Sequence, residues 1–420
     1  MKLAVVGGGW AGLAAAVRAT EAGHKVVLLE MAPQLGGRAR GVEFDGMTLD
    51  NGQHILIGAY QRTLALMRTV GADIDQLLDR RPLELRYADG RGLRMPAGPP
   101  WLAFGRAVLG CRGWSARDRI ALISAAAGWA LAGFRCAPQL TVAELCRKLP
   151  PAVRQLLIDP LCVAALNTPA SEASAAVLLR VLRDALFGGP GSADLMLPRR
   201  PLSAVLPQPA AQWLDRNGAE VRLHCRAQQL MPAGPRWQID GEEFDRVILA
   251  CSAGEAGRLT LDLAPAWAQR AQALRYEPIV TVYLRCPDAR LPAPMTALID
   301  GPLAPAQFAF DHGALGATQG LFAFVVSGAR DWVERGLPAT AQAVLRQAGA
   351  AFSPGTWPSA PTLVHALAEK RATFRCTPGL DRPPAQVAPG LTAAGDYIAG
   401  PYPATLEGAV RAGEAATLLA

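Results

Sequence analysis

The stretch up to Glu30 constrains the fold more than any other part of the sequence. Residues 2–6 form an apolar run typical of a buried strand, a glycine-rich turn leads into a helix-type segment, and a second apolar run ends at Glu30. The turn contains Gly7, Gly9 and Gly12, which have the spacing of the GxGxxG fingerprint. Because this fingerprint follows a strand, opens a helix and precedes an acidic residue, it predicts a βαβ unit that binds a dinucleotide.

Each residue of the fingerprint has a physical task. Gly7 permits the tight turn, Gly9 lets the backbone approach a pyrophosphate, and Gly12 lets the helix pack closely on the sheet. Glu30 is expected to bind the hydroxyls of the adenosine ribose and to repel a 2′-phosphate, which argues against NADP at this site.

A second glycine turn favours FAD over NAD. Gly36, Gly37 and Arg38 follow soon after the acidic residue and would bring further amides and a guanidinium back to the phosphates. The helix start at Trp10 and Ala11 adds amide donors and positive potential. An NAD dehydrogenase does not need a second cradle, whereas an extended, permanently held FAD does.

The composition narrows the class of protein. A chain of 420 residues predicts two domains. The eight cysteines include no CxxC pair and the five histidines lack ligand spacing, so we expect free thiols in a reducing cytosol and no metal site. The sequence also lacks a second GxGxxG, which argues against a pyridine-nucleotide disulfide reductase. No apolar run reaches transmembrane length, and no signal peptide is expected.

Positive charge is concentrated in one segment. Residues 91–135 carry seven arginines against a single acid, Asp118, and alternate these arginines with apolar stretches that contain tryptophan and phenylalanine. This mixture favours a membrane-surface patch over nucleic acid. A solvated arginine face on ordinary core helices is an equally good interpretation.

The hydrophobic pattern predicts a helical middle followed by strands. Helices are predicted over 116–134, 141–148, 151–166, 171–187 and 339–351, with Ser115 and Ser171 as capping residues. Strands are predicted over 219–231, 245–253, 276–286, 307–311, 320–327 and 362–374.

Taken together, these motifs resemble the FAD-dependent amine oxidase and phytoene desaturase superfamily over the whole chain. Four stretches further resemble one family in it, the hydroxysqualene dehydroxylases, also called squalene-associated FAD-dependent desaturases. They are DNGQHILIGAY (50–60), LNTPASEASA (166–175), EKRATF (369–374), and AGDY with YPATLEGAVRAG (394–413).

The resemblance implies an α/β fold. A Rossmann-like FAD-binding domain with a parallel sheet would be joined to a discontinuous α+β substrate domain made of a mixed sheet and helices. The FAD-binding domain is assigned to residues 1–80, 200–265 and 376–420, and the substrate domain to residues 81–199 and 266–375, with the arginine-rich part facing a membrane.

The resemblance also assigns cofactor contacts. Besides the residues of the two glycine turns, it places the backbone of Ala227 at the adenine and Asp396 at the ribityl or phosphate portion. Gly395, Thr405 and Leu406 complete the expected set, because small residues and a helix start there would let the backbone approach the flavin. Thr405 is expected to cap that helix.

The reaction that the resemblance implies is the reductive removal of the hydroxyl of hydroxysqualene, which gives squalene for hopanoid synthesis. Loss of an allylic hydroxyl leaves a delocalised cation that a flavin hydride can quench, so the protein must supply an acid. The candidates for this acid are His54, Asp311, Glu369 and Lys370. Residues expected to line the substrate are Asn51, Gln53, Asn167 and Tyr402.

Several alternatives stay open at this point. A carotenoid-type desaturase would run the redox step in the opposite direction, an amine oxidase would need an aromatic cage, and a membrane scaffold would bind FAD without turnover. The expected partners are a C30 isoprenoid, a membrane surface and an unidentified electron donor, without nucleic acid. The expected location is bacterial, cytoplasmic and peripheral to the membrane.

Overall fold

The computed structural model describes residues 1–419. The strands are, in chain order, β1 (Lys2–Val6), β2 (Lys25–Leu29), β3 (Gly41–Phe44), β4 (Met47–Asp50), β5 (Leu56–Ile57), β6 (Leu78–Arg81), β7 (Glu84–Arg86), β8 (Gly92–Arg94), β9 (Leu195–Pro198), β10 (Glu220–Arg222), β11 (Leu230–Ala233), β12 (Arg236–Ile239), β13 (Glu242–Phe244), β14 (Arg246–Leu249), β15 (Tyr276–Arg285), β16 (Met295–Ala297), β17 (Phe308–Asp311), β18 (Leu321–Val326), β19 (Thr362–Phe374), β20 (Gln386–Ala388) and β21 (Leu391–Ala393).

The helices alternate with these strands. They are α1 (Trp10–Glu21), α2 (Gln61–Thr69), α3 (Ile74–Leu77), α4 (Pro100–Gly110), α5 (Ala116–Leu131), α6 (Val142–Leu145), α7 (Pro151–Val153), α8 (Asp159–Leu166), α9 (Ala175–Phe187), α10 (Leu202–Val205), α11 (Pro207–Arg216), α12 (Ala253–Thr260), α13 (Pro265–Gln272), α14 (Arg330–Glu334), α15 (Leu337–Ala351) and α16 (Leu406–Leu419), with a π-helical turn at Arg154–Ile158 and a 3₁₀ turn at Pro354–Thr356.

The sheet that carries the glycine fingerprint has six strands in the order β10-β2-β1-β14-β21-β20. All are parallel except β20, which pairs antiparallel with β21. In register, Val6 lies between Leu29 and Leu249, so the carboxyl ends of three strands meet at one edge. The predicted Rossmann-like α/β fold is confirmed, and a ligand of such a sheet binds at this edge.

One strand prediction differs from the structure. Residues 219–231 form two short strands, β10 and β11, because His224 adopts a positive φ of 55° and breaks the extended run. The amides of Gln228 and Gln229 then donate to the carboxylate of Asp240 instead of to a neighbouring strand. Strands β11, β12 and β13, which lie between β10 and β14 in the chain, form a separate antiparallel sheet.

A second large sheet has five antiparallel strands in the order β16-β17-β18-β15-β19. One face, which carries Val282 and Phe322, packs on α15. The other face meets the glycine-rich half of the chain, where the hydroxyl of Tyr283 donates to the carbonyl oxygen of Asp50 at 3.0 Å. Phe44 and His365 stack across the same boundary with ring centroids 3.8 Å apart.

The predicted helices of the middle are present, but α4 precedes the first of them, and the predicted helix 141–148 is limited to α6. Ser115 caps α5 as predicted, in a capping box with Asp118. Ser171 does not cap a helix; α9 starts at Ala175, and the preceding residues turn back on Pro169 through the amides of Glu172 and Ala173. None of the helices in residues 1–419 is both long and apolar enough to cross a membrane.

The predicted domain boundaries stay a prediction. Strand β9 belongs to the segment assigned to the substrate domain, yet it pairs with β5 and β6 from the segment assigned to the FAD domain. Helix α16 packs on α1 so closely that a Cβ on Gly413 would lie 2.1 Å from the carbonyl oxygen of Ala11.

Candidate active site

The two glycine turns form one cradle. The amide of Gly36 donates to the carbonyl oxygen of Gly8 at 2.8 Å, which holds the second turn against the first. A Cβ added to Gly9 would meet no atom closer than the Cα of Gly37, at 3.8 Å. The two turns are therefore in direct contact, and the absence of a Cβ at Gly9 leaves its backbone open to the approach of a phosphate.

The other fingerprint glycines are required by packing. A Cβ on Gly12 would lie 1.8 Å from the carbonyl oxygen of Gly7. Gly7 has a φ of 108°, and a Cβ there would lie 2.7 Å from the amide nitrogen of Cys251, at the end of β14. Trp10 anchors the start of α1 through its indole NH, which donates to the carbonyl oxygen of Ala39 at 3.1 Å.

Glu30 stands at the predicted strand end and is buried, with 7% of its surface exposed. Its carboxylate accepts from the amides of Gly8 at 2.6 Å and Ala32 at 2.8 Å. Because each oxygen has a second acceptor position, ribose hydroxyls can still bind. Ala227 lies on the segment beside this strand end, and its carbonyl oxygen accepts from Arg258 at 2.6 Å.

Arg38 joins the second glycine turn to the last strand of the sheet. Its guanidinium donates to the carboxylate of Asp396 at 2.6 Å and to the carbonyl oxygen of Ala372 at 2.8 Å. Burial acts to lower the pKa of Arg38, but the Asp396 carboxylate outweighs it, so that the pKa is raised. Gly395 and Asp396 are thereby held beside the cradle.

The predicted residues Asn51, His54 and Glu369 come together next to this pair, and Gln53 lies between the first two in the chain. The side-chain amide of Asn51 donates to the carboxylate of Glu369 at 2.8 Å. Nδ1 of His54 lies 2.7 Å from the carbonyl oxygen of Gly52, and burial lowers the pKa of the imidazole. The neutral ring therefore donates to Gly52 and leaves Nε2 as an acceptor. The carboxamide oxygen of Gln53 is buried without a hydrogen-bond partner in residues 1–419.

Lys370 and Asp311 do not join this cluster. Lys370 is exposed on the strand that carries half-buried Glu369, and Arg371, which was predicted to share the side of Glu369, is exposed as well. Asp311 is fully buried, opposite Phe322 on the sheet face that packs on α15, and its carboxylate accepts from the amides of Leu291 and Ala314. This placement corrects the expectation that Asp311 is a candidate acid, because its face of the sheet points away from the cradle.

Asn167 and Tyr402 are held by other protein groups. Asn167 is 4% exposed, has a positive φ of 46° at the end of α8, and donates to the carbonyl oxygen of Glu277 at 3.1 Å. The ring of Tyr402 lies between the guanidinium groups of Arg180 and Arg411, 4.9 and 4.8 Å from its centroid. The contacts that the structure shows for both are with protein groups, and their expected role in lining the substrate stays a prediction.

The start of α16 follows the prediction. The hydroxyl of Thr405 accepts from the amide of Gly408 at 2.9 Å, so Thr405 caps the helix that begins at Leu406. The next residue, Glu407, has no exposed surface and accepts from the amides of Arg62 and Thr63 at the start of α2. Sequence reasoning missed Glu407, because its partners lie far away in the chain.

Two further residues at the site escaped the sequence analysis. Asp50 is 5% exposed; burial raises the pKa of its carboxyl to about 7, although the amide of Leu202 donates to it at 2.8 Å. Tyr397 follows Asp396 and is 2% exposed, with a hydroxyl that has no partner in the described chain. In the sequence, Asp50 directly precedes Asn51 and Tyr397 directly follows Asp396, and this adjacency could have identified both residues.

These residues fit FAD. The glycine turns leave backbone open to a pyrophosphate, the N-terminus of α1 provides amides, and a buried carboxylate stands at the strand end that a ribose requires. Polar groups that lack protein partners, at Gln53 and Tyr397, lie beside the residues expected to hold the flavin end.

Comparison with known proteins agrees with this geometry. Residues 10–417 match the family described as flavin containing amine oxidoreductase. A hydroxysqualene dehydroxylase of Rhodopseudomonas palustris is 30% identical, with 98% of this chain and 96% of the relative covered. One of Zymomonas mobilis is 27% identical over 99% of this chain and 98% of the relative. A carotenoid phi-ring synthase of Streptomyces griseus is 27% identical over only 61% of this chain and 53% of the relative.

The solved structures agree on the fold. An oxidoreductase from Methanosarcina mazei superimposes with a TM-score of 0.74 and 16% identity, and each chain is covered completely. At this identity the likeness establishes the architecture alone.

Proposed function

The chain belongs to the flavin-containing amine oxidoreductases and, among them, to the hydroxysqualene dehydroxylases, and from this premise we propose that it converts hydroxysqualene to squalene. It is an FAD-dependent oxidoreductase that acts on an isoprenoid. The observation that carries the proposal is the Asn51–Glu369 hydrogen bond beside the glycine cradle, because the carboxyl group of Glu369 would then lie next to the expected cofactor.

When bound, reduced FAD would supply a hydride and be left oxidised. The substrate would exchange its carbon–oxygen bond for a carbon–hydrogen bond, and the hydroxyl would take up a proton and leave as water. The chain must therefore hold the cofactor, deliver one proton to the leaving oxygen and keep nucleophiles away from the allylic cation.

The residues proposed to hold FAD follow from the geometry of the cradle. The backbones of Gly9 and Gly37 would receive the pyrophosphate, Glu30 the adenosine ribose, and the linked pair of Arg38 and Asp396 the chain between phosphate and flavin. The start of α16, capped by Thr405, would offer amides and positive potential at the flavin end.

Glu369 is the proposed proton donor, with Asn51 as the residue that orients it. His54 is less suited, because its neutral ring already donates its proton to Gly52. Asp50, the residue directly before Asn51, has a pKa raised to about 7, so a part of it is protonated near neutral pH and provides a second buried acid in the same segment.

An anaerobic assay tests the reaction. Purified protein is reduced, hydroxysqualene is added, and flavin reoxidation and squalene are followed together. Stoichiometric appearance of both is expected. A flavin that stays reduced contradicts the proposal, and a lipid that reduces oxidised flavin instead identifies a desaturase of the carotenoid type.

A pair of neighbouring variants tests the acid. In Glu369→Gln we expect squalene formation with pre-reduced FAD to fall by at least about 100-fold, with FAD still bound. The control is Lys370→Gln, the exposed neighbour on the same strand, which should retain its rate. An unchanged rate in Glu369→Gln removes this residue from the mechanism.

The surface of α4 and α5 supports a second proposal, docking on an anionic membrane. Exposed apolar side chains lie along both helices: Trp101, Leu102, Leu109, Ile120, Ile123 and Leu131. The arginines of the same segment other than Arg91 form no ion pair within residues 1–419; they are Arg94, Arg106, Arg112, Arg117, Arg119 and Arg135. Apolar side chains with unneutralised arginines match the interface of an anionic bilayer.

Vesicle binding tests this docking. We expect sedimentation with phosphatidylglycerol vesicles at low salt but not with phosphatidylcholine, and loss of binding in Ile120→Ser/Leu131→Ser. Leu303→Ser, at an apolar residue 78% exposed elsewhere, is the matched control and should bind like the wild type. Equal binding to both lipids, or equal loss in the control, contradicts the proposal.

A further inference from the structure

Tyr397 is a buried tyrosine whose hydroxyl group lacks a partner. Only 2% of the residue is exposed. Its oxygen is inaccessible and forms no hydrogen bond with any group in residues 1–419. An unpaired buried hydroxyl costs about 1–3 kcal/mol, so a group outside the protein chain is expected to satisfy it.

The ring of Tyr397 cannot readily turn to another partner. It packs against Gly395, where an added Cβ would lie 2.5 Å from the Cε1 atom of the ring. The surrounding turn is closed by the amide of Ile398, which donates to Gly395, and by the amide of Ala404, which donates to Asp396. The position of the hydroxyl is therefore fixed by the backbone that also carries Asp396.

The neighbours of the hydroxyl belong to the cradle. Burial, followed by the charges of Cys251, Tyr276 and Asp396, raises the pKa of Tyr397 well above its ordinary value, and Arg38 opposes this rise. The phenol is therefore protonated near neutral pH and can act as a donor. Burial likewise raises the pKa of the Cys251 thiol to about 12, so this thiol is also protonated near neutral pH.

We propose that the hydroxyl of Tyr397 donates a hydrogen bond to the ribityl–pyrophosphate chain of bound FAD. This contact satisfies a donor that has no partner in the cofactor-free chain. The inference rests on the proposed cofactor site, since Tyr397 directly follows Asp396, which is proposed to hold the same part of FAD. It adds a contact that a glycine and acid fingerprint does not predict.

The test is Tyr397→Phe, read out by FAD binding and by the stability of the cofactor-free protein. We expect the dissociation constant of FAD to rise about fivefold to tenfold, the loss of one hydrogen bond. The melting temperature of the cofactor-free variant should equal or exceed that of the wild type, because an unpaired polar group has been removed.

Tyr87→Phe is the matched control. Tyr87 is 4% exposed, and its hydroxyl donates to the carbonyl oxygen of Leu156 at 3.3 Å, away from the cradle. This variant should melt at a lower temperature without cofactor and bind FAD unchanged.

Two results overturn the inference: an unchanged FAD dissociation constant in Tyr397→Phe, or a cofactor-free variant that melts below the wild type as Tyr87→Phe does. Both measurements use FAD alone. A protein that binds FAD as expected but leaves hydroxysqualene untouched would therefore contradict the proposed reaction and leave the Tyr397 contact standing.

Discussion

Arg38 and Asp396 are 358 positions apart in the chain, and their side chains form a hydrogen-bonded ion pair of 2.6 Å. Arg38 belongs to the turn after β2, whereas Asp396 follows β21, the last strand of the same sheet. The pair therefore ties the first part of the cofactor cradle to its last part, and both charges lie where FAD is proposed to bind.

A double-mutant cycle on this pair should reveal strong coupling. We expect Arg38→Gln and Asp396→Asn each to weaken FAD binding by at least about tenfold, with a double variant little worse than either, because each removes the same linkage. Isothermal titration with FAD measures the effect. The exposed pair of Arg236 and Asp245 is the control and should show coupling near zero. Additive losses at Arg38 and Asp396 would contradict a shared role.

Two glycines of the fingerprint should respond differently to alanine. Gly9→Ala is expected to fold and to lose FAD, since its Cβ fits sterically but covers the backbone that the pyrophosphate is proposed to approach. Gly12→Ala is expected to prevent folding, because its Cβ would lie 1.8 Å from the carbonyl oxygen of Gly7. Circular dichroism and bound-flavin absorbance separate the two cases. Gly128→Ala, where a Cβ meets no atom within 4 Å, is the control for both. Retention of FAD by Gly9→Ala would refute the cradle.

Asp50 should make the protein less stable as the pH rises. Its pKa in the folded chain is about 7 against 3.8 ordinarily, so between these values the folded state binds a proton that the unfolded state has released. The free energy of unfolding should fall through this window, by an amount on the order of 4 kcal/mol from this group, and then level off. Asp50→Asn should remove that fall, measured by urea unfolding at a series of pH values.

Asp245 provides the opposite case as a control. The amide of Lys2 donates to this carboxylate and lowers its pKa, so Asp245 stabilises the fold at higher pH and loses that effect on acidification. Asp245→Asn should therefore alter the acid limb of the curve in the opposite sense. Equal pH profiles for wild type and Asp50→Asn would show that the buried carboxyl is not protonated.

Glu407 should matter for stability more than its place on a surface helix suggests. It has no exposed surface, and its carboxylate accepts from the amide and hydroxyl of Thr63. Glu407→Gln would turn an amide group toward these donors and should cost about 2–3 kcal/mol in urea unfolding. Glu414→Gln, in the same helix but paired with half-exposed Arg62, should cost less than about 1 kcal/mol. A similar cost for both would contradict the role of Glu407 in capping the start of α2.

Local sequence determined the cofactor half of this protein. The spacing of Gly7, Gly9 and Gly12 specifies a turn, a close approach and a helix contact within a few residues, and Glu30 follows at the end of the next strand. Such features can be inferred without a structure, because the backbone positions that demand glycine are set by the local strand–turn–helix path. The helix cap at Thr405 was predictable for the same reason.

The proposed catalytic residues were brought together by tertiary structure. Strand alternation separates Glu369 from Lys370, but the packing of the five-stranded sheet decides that Glu369 meets Asn51 while Asp311 faces α15. The raised pKa of Asp50 likewise arises from burial by distant parts of the chain. Periodicity within a strand gives two faces without saying what covers each, because that choice depends on long-range packing that a local pattern does not encode.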